Sequence, residues 1–429
     1  MWHDRPRVKL VVTIYEESTQ AVLEAVHAIR LEHDWVEVRA EKIHDLDVRA
    51  IRAATAKPLV LTRVASASDR RAALEAGVDY VDVEWSEGVE LEFPERTILS
   101  HHDYEGMRDV ELIMEHMRAR GCAYTKLAAT PHNFEDNLRL LSLLPGTVIG
   151  MGERGMYTRI LSPFRGSELA FVAASHIAAP GQLTLERALA IYGRGALRAE
   201  KVFAVTGNPI GHSLSPSIHN ALFREKGVPA AYTIASVERF AEIAHAFREG
   251  EPCGLSVTTP FKDDAFAFAR ALNADMGEHA IRARAVNTLV NLDGRILADN
   301  TDVDGFAALL PRGMTEAAIL GAGGTARAAK VACESAGIPA LLYNRTATRG
   351  DAPLAALAMF EGDLVINTLP ADADVRIPPC RVYIEAAYGG APRAVDAQQR
   401  VDGLALLHAQ AQRQHELFMK VFAERHPVG

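Results

Sequence analysis

Through the first half of the chain, short apolar runs alternate with stretches whose apolar residues recur at three- and four-residue spacing. The runs predict strands at Lys9–Tyr15, Trp35–Glu41, Leu59–Arg63, Tyr80–Trp85, Thr97–His101, Ala123–Ala128 and Thr147–Gly152, with a short eighth near His176. The periodic stretches predict helices such as Ser18–Glu32, Ala67–Ala76 and Asp109–Arg120. Alternation of this kind predicts a parallel sheet, and about eight such units in fewer than about 200 residues predict a compact (β/α)8 barrel. Polar residues gather at the predicted strand ends: Arg39, Glu41, Arg63, Glu84, His101, His102, Lys126 and Glu153. In such barrels the C-terminal strand ends carry the site.

A boundary is expected near Gly193–Glu200, giving a first module over 1–196 and a second over 201–429. The second also alternates, but contains a glycine-rich turn at Gly321 that follows a strand and opens a helix. It reads as an α/β pair of lobes: residues 201–310 with a returning helix over 405–425, and a Rossmann-like nucleotide lobe over 311–400.

Composition excludes more than it assigns. With 429 residues, 48% hydrophobic and 24% charged, the chain can build more than one core. A net charge of −9 argues against a nucleic-acid partner, since phosphate contacts need clustered Lys and Arg. No apolar run approaches the roughly 20 residues of a membrane span, and the polar start Met1–Arg7 does not read as a signal peptide. Cys122, Cys253, Cys333 and Cys380 are scattered, as expected of reduced thiols in a cytoplasmic protein without a zinc site. Oligomeric state is not legible here.

Two constellations carry chemistry. His102 and Lys126 fall at the ends of successive predicted strands, so they can face one cavity. An inward lysine is expected to lose charge on burial, leaving a nucleophilic amine that forms an imine with a ketone. A nearby histidine can then move a proton at the acidified carbon. Alone, each residue is as compatible with a snorkelling lysine or a structural turn. In the second module, Lys262 and Asp302, taken singly, read as members of an ordinary ion pair. Ser215 before Pro216 reads as a helix cap. After the strand that follows the glycine turn, Asn344-Arg345-Thr346 stands where an NAD enzyme has an acid, and Arg349 lies close by. An arginine and a hydroxyl suit a 2′-phosphate, so NADP is favoured.

The segment Ser100-His101-His102-Asp103-Tyr104, followed by Lys126-Leu127-Ala128, resembles type I 3-dehydroquinate dehydratases, as do Glu37-Val38-Arg39, Met151-Gly152-Glu153-Arg154-Gly155 with Arg159, and Ala179-Pro180-Gly181-Gln182. The resemblance implies a Schiff-base Lys126, an acid/base His102, an Arg159 carboxylate clamp, and substrate contacts from Thr13, Glu37, Arg39, Arg63, Phe171 and Gln182. After the third strand, Val64-Ala65-Ser66 replaces that family's glycine-rich loop, and Glu41 replaces its aspartate.

Gly207-Asn208-Pro209-Ile210-Gly211-His212-Ser213-Leu214-Ser215-Pro216, Val257-Thr258-Thr259-Pro260-Phe261-Lys262, Asn287-Thr288 and Asn300-Thr301-Asp302 resemble shikimate dehydrogenases, in family order. That resemblance implies Lys262 and Asp302 as the catalytic pair. It implies Ser213, Ser215, Thr258, Asn287, Tyr388 and Gln410 at the substrate, and Gly321, Ala322, Gly323, Gly324, Thr325, Thr368 and Gly403 with Asn344, Arg345, Thr346 and Arg349 at NADP. Together they imply an enzyme that dehydrates 3-dehydroquinate and reduces 3-dehydroshikimate with NADPH, with no metal. A catabolic quinate or shikimate dehydrogenase, a chain whose dehydratase half is impaired, and a non-catalytic metabolite sensor are the alternatives. Retention of His102, Lys126, Lys262 and Asp302 argues against the sensor.

Overall fold

The computed structural model describes residues 8–64, 66–174, 176–370, 373–390 and 393–423. They form two compact units, one of residues 1–204 with 209–238 and one of 205–208 with 239–429.

In the first unit, eight parallel strands run β1 (Lys9–Ile14), β2 (Trp35–Arg39), β3 (Leu59–Thr62), β4 (Tyr80–Glu84), β5 (Thr97–Asp103), β6 (Tyr124–Ala129), β7 (Thr147–Gly150) and β8 (Leu169–Ala173). Their order, β7-β6-β5-β4-β3-β2-β1-β8, is a nearly closed barrel. The expected eighth strand near His176 is misplaced. The strand is Leu169–Ala173, buried throughout and paired with β1 from Lys9↔Leu169 to Thr13↔Ala173. A run buried on both faces shows no alternation, so it is read as easily as a helix segment. The expected helices form as Thr19–Ala28, Ala67–Glu75 and Val110–Ala119, the first two capped by Ser18 and Ser66, whose hydroxyls accept from the N–H groups of Ala21 and Asp69.

The first residues of four strands close the barrel floor. Trp35 and Tyr80 stack with ring centroids 4.8 Å apart, Tyr124 meets both edge-on, and the Lys9 ammonium lies over Trp35 and Tyr124. The C-terminal strand ends are left to carry polar groups.

Strand β9 (Lys201–Gly207) crosses from the first unit to the second. Within the first unit, the helix Ser215–Lys226 leads to β10 (Ala230–Ser236), whose Thr233 hydroxyl donates to the Tyr157 carbonyl at 3.1 Å. Ser215 is not the expected cap. Leu214 already has helical backbone angles, so Ser215 is the first helical residue, and its N–H donates to the Ser213 hydroxyl at 3.3 Å.

The second unit holds two sheets. One contains β11 (Gly254–Val257), β12 (Asp275–Met276), β13 (Thr288–Leu292) and β14 (Arg295–Asp299). Simple strand–helix alternation does not anticipate its antiparallel pairs, β11 with β13 and β13 with β14. The β13–β14 hairpin turns on Asp293-Gly294, both at positive φ, as a two-residue turn of the right twist requires. The other sheet is fully parallel: β15 (Ala317–Leu320), β16 (Ala340–Asn344), β17 (Ala352–Pro353), β18 (Leu364–Asn367), β19 (Cys380–Glu385) and β20 (Ala397–Val401). Its order β17-β16-β15-β18-β19-β20 reverses between β15 and β18, the crevice where dinucleotides bind in such sheets. The last helix is Gly403–Ala423, and the expected end at 425 lies outside the described residues.

Candidate active sites

The barrel site lies at the C-terminal strand ends. Register sets Ser100 beside Lys126 and His102 beside Ala128, so His102 stands one pleat above Lys126. Both side chains line one cavity with Thr13, Glu37, Arg39, Tyr104, Arg159, Phe171 and Gln182. The Lys126 amine is buried, 2.9 Å from Asp82 Oδ2, 3.7 Å from Glu37 Oε1 and 4.2 Å from the centre of the Phe171 ring. The expected loss of charge is not what this setting produces. Burial alone would lower the lysine pKa, but Asp82 and Glu37 outweigh it and raise the value above the ordinary one. Burial likewise pushes Asp82 upward, and Lys126 and His102 outweigh that and hold its carboxyl below the usual range. The two carboxylates therefore favour the charged form of the amine.

His102 is oriented by Glu84, which receives both its backbone N–H at 2.8 Å and Nδ1 at 2.7 Å. That contact engages Nδ1 and not Nε2. Asp82 and Glu84 are i, i+2 on β4 and so share a face. Sequence reasoning noticed Glu84 at a strand end but gave neither carboxylate a role. Their shared parity with Glu37 and Arg39 on a barrel strand was the available signal.

Thr13 donates to Glu37 at 2.6 Å and accepts from Gln182 at 3.1 Å, while Thr62 donates to the other Glu37 oxygen at 2.8 Å. Arg39 pairs with Glu41. Arg159 is buried, and among the described residues its guanidinium donates to two carbonyls, Gly150 and Pro180, each at 3.1 Å. Burial pulls its pKa down to about 10. A buried guanidinium satisfied by neutral acceptors suits a carboxylate. Arg63, at positive φ and exposed, instead donates to the Tyr104 hydroxyl at 2.9 Å on the rim.

In the second unit, buried Lys262 donates to Asp302 Oδ2 at 2.5 Å and to the Thr325 hydroxyl at 2.7 Å. Asn287 donates to Asp302 Oδ1 at 2.8 Å and to the Thr301 hydroxyl at 3.1 Å. Thr301 in turn donates to Gln410 at 3.2 Å, and Thr258 follows β11. One turn beyond Gln410, Gln414 is almost fully buried. It accepts from Ser256 at 2.6 Å and donates to Thr288 at 2.8 Å. Sequence reasoning missed Gln414. Its spacing from Gln410 on one helix face was the signal. Ser213 and Ser215 are buried in the first unit.

The glycine turn follows β15. Gly321 has φ +112°, and a Cβ there would stand 2.6 Å from Thr368 Oγ1, so only glycine fits. Thr368, just past β18, donates to the Leu320 carbonyl at 2.7 Å. Ala322 and Gly323 lead into the helix Gly324–Ser335. A Cβ at Gly324 would come within 3.0 Å of the Lys262 side chain, so the turn closes directly on the lysine. Arg345, Thr346 and Arg349 follow β16 and are exposed, and the Asn344 amide donates to the Thr346 carbonyl at 3.1 Å. Tyr388 and Gly403 line a separate cavity with Glu385. Among the described residues no helix is long and apolar enough to cross a membrane, and no cluster of metal-ligating side chains occurs.

Residues 10–194 match the type I 3-dehydroquinase family, and residues 205–289 match the shikimate dehydrogenase substrate-binding domain. The chain is 28% identical to the shikimate biosynthesis protein AroDE of Chlamydia pneumoniae, covering 94% of this chain and 91% of that one. It is 32% identical to the shikimate dehydrogenase (NADP(+)) of Shewanella halifaxensis, over 53% of this chain and 93% of that one. It is 27% identical to the chloroplastic bifunctional 3-dehydroquinate dehydratase/shikimate dehydrogenase of Arabidopsis thaliana, over 65% of this chain but only 52% of that longer protein. The chain thus belongs to the type I 3-dehydroquinase and shikimate dehydrogenase families, joined in one polypeptide.

Proposed function

We propose that the protein converts 3-dehydroquinate to 3-dehydroshikimate at Lys126 and reduces that product to shikimate at Lys262 with NADPH, the modules spanning 1–196 and 201–429. The observation that supports this most is a pair of buried lysines, each hydrogen-bonded to a buried carboxylate: Lys126 to Asp82 and Lys262 to Asp302.

In the first reaction, Lys126 gives up its proton within the Asp82–Glu37 cluster and attacks the ring ketone. Loss of water leaves an iminium, which draws electrons from the neighbouring carbon. His102 Nε2, held in register by Glu84, removes a proton there and returns it to the departing hydroxyl. Water then releases the product and restores the amine. Arg159 holds the carboxylate. Thr13, Glu37, Arg39 and Gln182 face the ring hydroxyls, Phe171 covers the ring, and Arg63 closes the rim.

In the second reaction, the turn Gly321–Thr325 and the reversal point of the parallel sheet fit a dinucleotide. Gly323 has open space where a Cβ would stand, and the turn abuts Lys262. Asn344, Arg345, Thr346 and Arg349 fit a 2′-phosphate, Thr368 and Gly403 are read on the cofactor side, and Tyr388 on the substrate side. NADPH, when bound, supplies the hydride. Lys262 donates to the ketone oxygen and protonates it, while Asp302, steadied by Asn287, sustains the lysine charge. Ser213 and Ser215 hold the carboxylate, and Thr258, Asn287 and Gln410 hold the ring hydroxyls.

Borohydride added with 3-dehydroquinate is expected to fix substrate mass on Lys126, and an unmodified Lys126 refutes the imine. Lys262→Ala is expected to collapse NADPH oxidation with 3-dehydroshikimate, and near-normal turnover removes Lys262 from the chemistry.

A further inference from the structure

The loop Ile210–Ser213, which ends at the two serines assigned above to a substrate carboxylate, is tied to the barrel from both sides. Glu153 stands between β7 and the helix Met156–Arg165. A single oxygen, Oε1, accepts the backbone N–H groups of Ile210 at 2.7 Å and Gly211 at 2.8 Å. From the helix Leu185–Tyr192, Arg187 donates one amino group to the carbonyls of Gly211 at 2.9 Å and Ser213 at 3.0 Å. The donors of the loop are thus held by an anion and its acceptors by a cation. Both are charge-assisted bonds, stronger than neutral ones. Gly211 is part of the fit, since a Cβ there would lie 3.2 Å from Glu153 Cγ and Cδ. Inside the loop, the Ser213 N–H donates to the Ile210 carbonyl at 2.9 Å, and the Ser213 hydroxyl accepts from the Ser215 N–H. The position of both hydroxyls therefore follows from where Glu153 and Arg187 hold the backbone. Neither side chain is among those assigned above to the dehydratase chemistry.

We infer that Glu153 and Arg187 are positioning residues for the reductase: two side chains of the dehydratase barrel set the geometry of the reductase's carboxylate loop. This rests on the reading of Ser213 and Ser215 as that loop's ligands.

The test uses the full chain. Glu153→Ala is expected to raise KM for 3-dehydroshikimate about fivefold, the size of a modest hydrogen-bond loss. KM for NADPH and dehydratase kcat/KM should stay within about twofold, as for uncoupled sites. Glu153→Gln keeps an acceptor oxygen and should restore most of the affinity, and Arg187→Ala should repeat the KM effect. If Glu153→Ala lacks dehydratase activity because it does not fold, Gly211→Ala, which pushes on the same carboxylate, takes its place with the same expectation. Ser213→Ala is the reference. If Ser213→Ala raises KM while Glu153 and Arg187 variants leave it unchanged, the positioning role is overturned. If Ser213→Ala itself leaves KM unchanged, the reading of the loop fails first.

Discussion

Replacing Asp82 by Asn tests whether carboxylates, rather than burial, set the charge state of Lys126. Asn keeps one acceptor oxygen, enough for either the Ser100 hydroxyl, which now donates to Asp82 Oδ1 at 2.6 Å, or Lys126, which donates to Oδ2. It removes one negative charge 2.9 Å from the amine and leaves Glu37 at 3.7 Å. At an effective dielectric of about 20 the lost attraction is about 6 kcal/mol, an upper bound because the site relaxes and Glu37 stays. Opposite charges at such range move a pKa by about 1–3 units. The amine pKa is therefore expected to fall by that amount, carrying the lysine-dependent limb of the dehydratase kcat/KM profile to lower pH. The assay is that profile, with 13C-labelled lysine NMR to follow Lys126 itself. A limb that stays in place, or moves up, refutes the reasoning. Stability carries a second signature. Asp82 is depressed on folding, so its contribution is present above its unfolded pKa of about 3.9 and is lost as pH falls through the folded value. Lys126 is raised, so its contribution is present below about 10.4 and is lost as pH rises through the folded value. Asp82→Asn should lower Tm between those limits and converge on the parent in acid.

Arg159→Lys keeps the charge but not the planar fork, and should raise KM for 3-dehydroquinate about tenfold in steady-state assays. Arg345→Glu should raise KM for NADPH by about tenfold or more while leaving NADH use little changed, if the exposed guanidinium takes the 2′-phosphate. Gln414→Ala removes one hydrogen bond from each of the buried Ser256 and Thr288 hydroxyls. It should cost about 1–3 kcal/mol, read as a lower denaturation midpoint for the second unit.

The strand–helix rhythm, the eight-stranded parallel barrel and the Rossmann-like parallel sheet were legible in the chain itself. Apolar periodicity and turn chemistry act within a dozen residues, so their record is local. Seven of the eight barrel strands begin within a residue of their expected starts for that reason. The eighth escaped because Leu169–Ala173, buried on both faces, carries no alternating signature. The hairpin on Asp293-Gly294 was written in its turn residues and was passed over.

What the chain could not show was what each charged group meets once folded. Asp82 lies 44 positions from Lys126, Asp302 lies 40 from Lys262, and Glu153 lies 57 from Ile210. A lysine's charge depends on the carboxylates brought within about 4 Å, and that distance is a product of sheet register and barrel curvature, not of spacing along the sequence. Composition and periodicity determined which elements form and where polar ends gather. Only the tertiary structure decided which carboxylates meet Lys126, that Ser215 is the first helical residue and not the cap, and that Glu153 accepts from the backbone of Ile210 and Gly211.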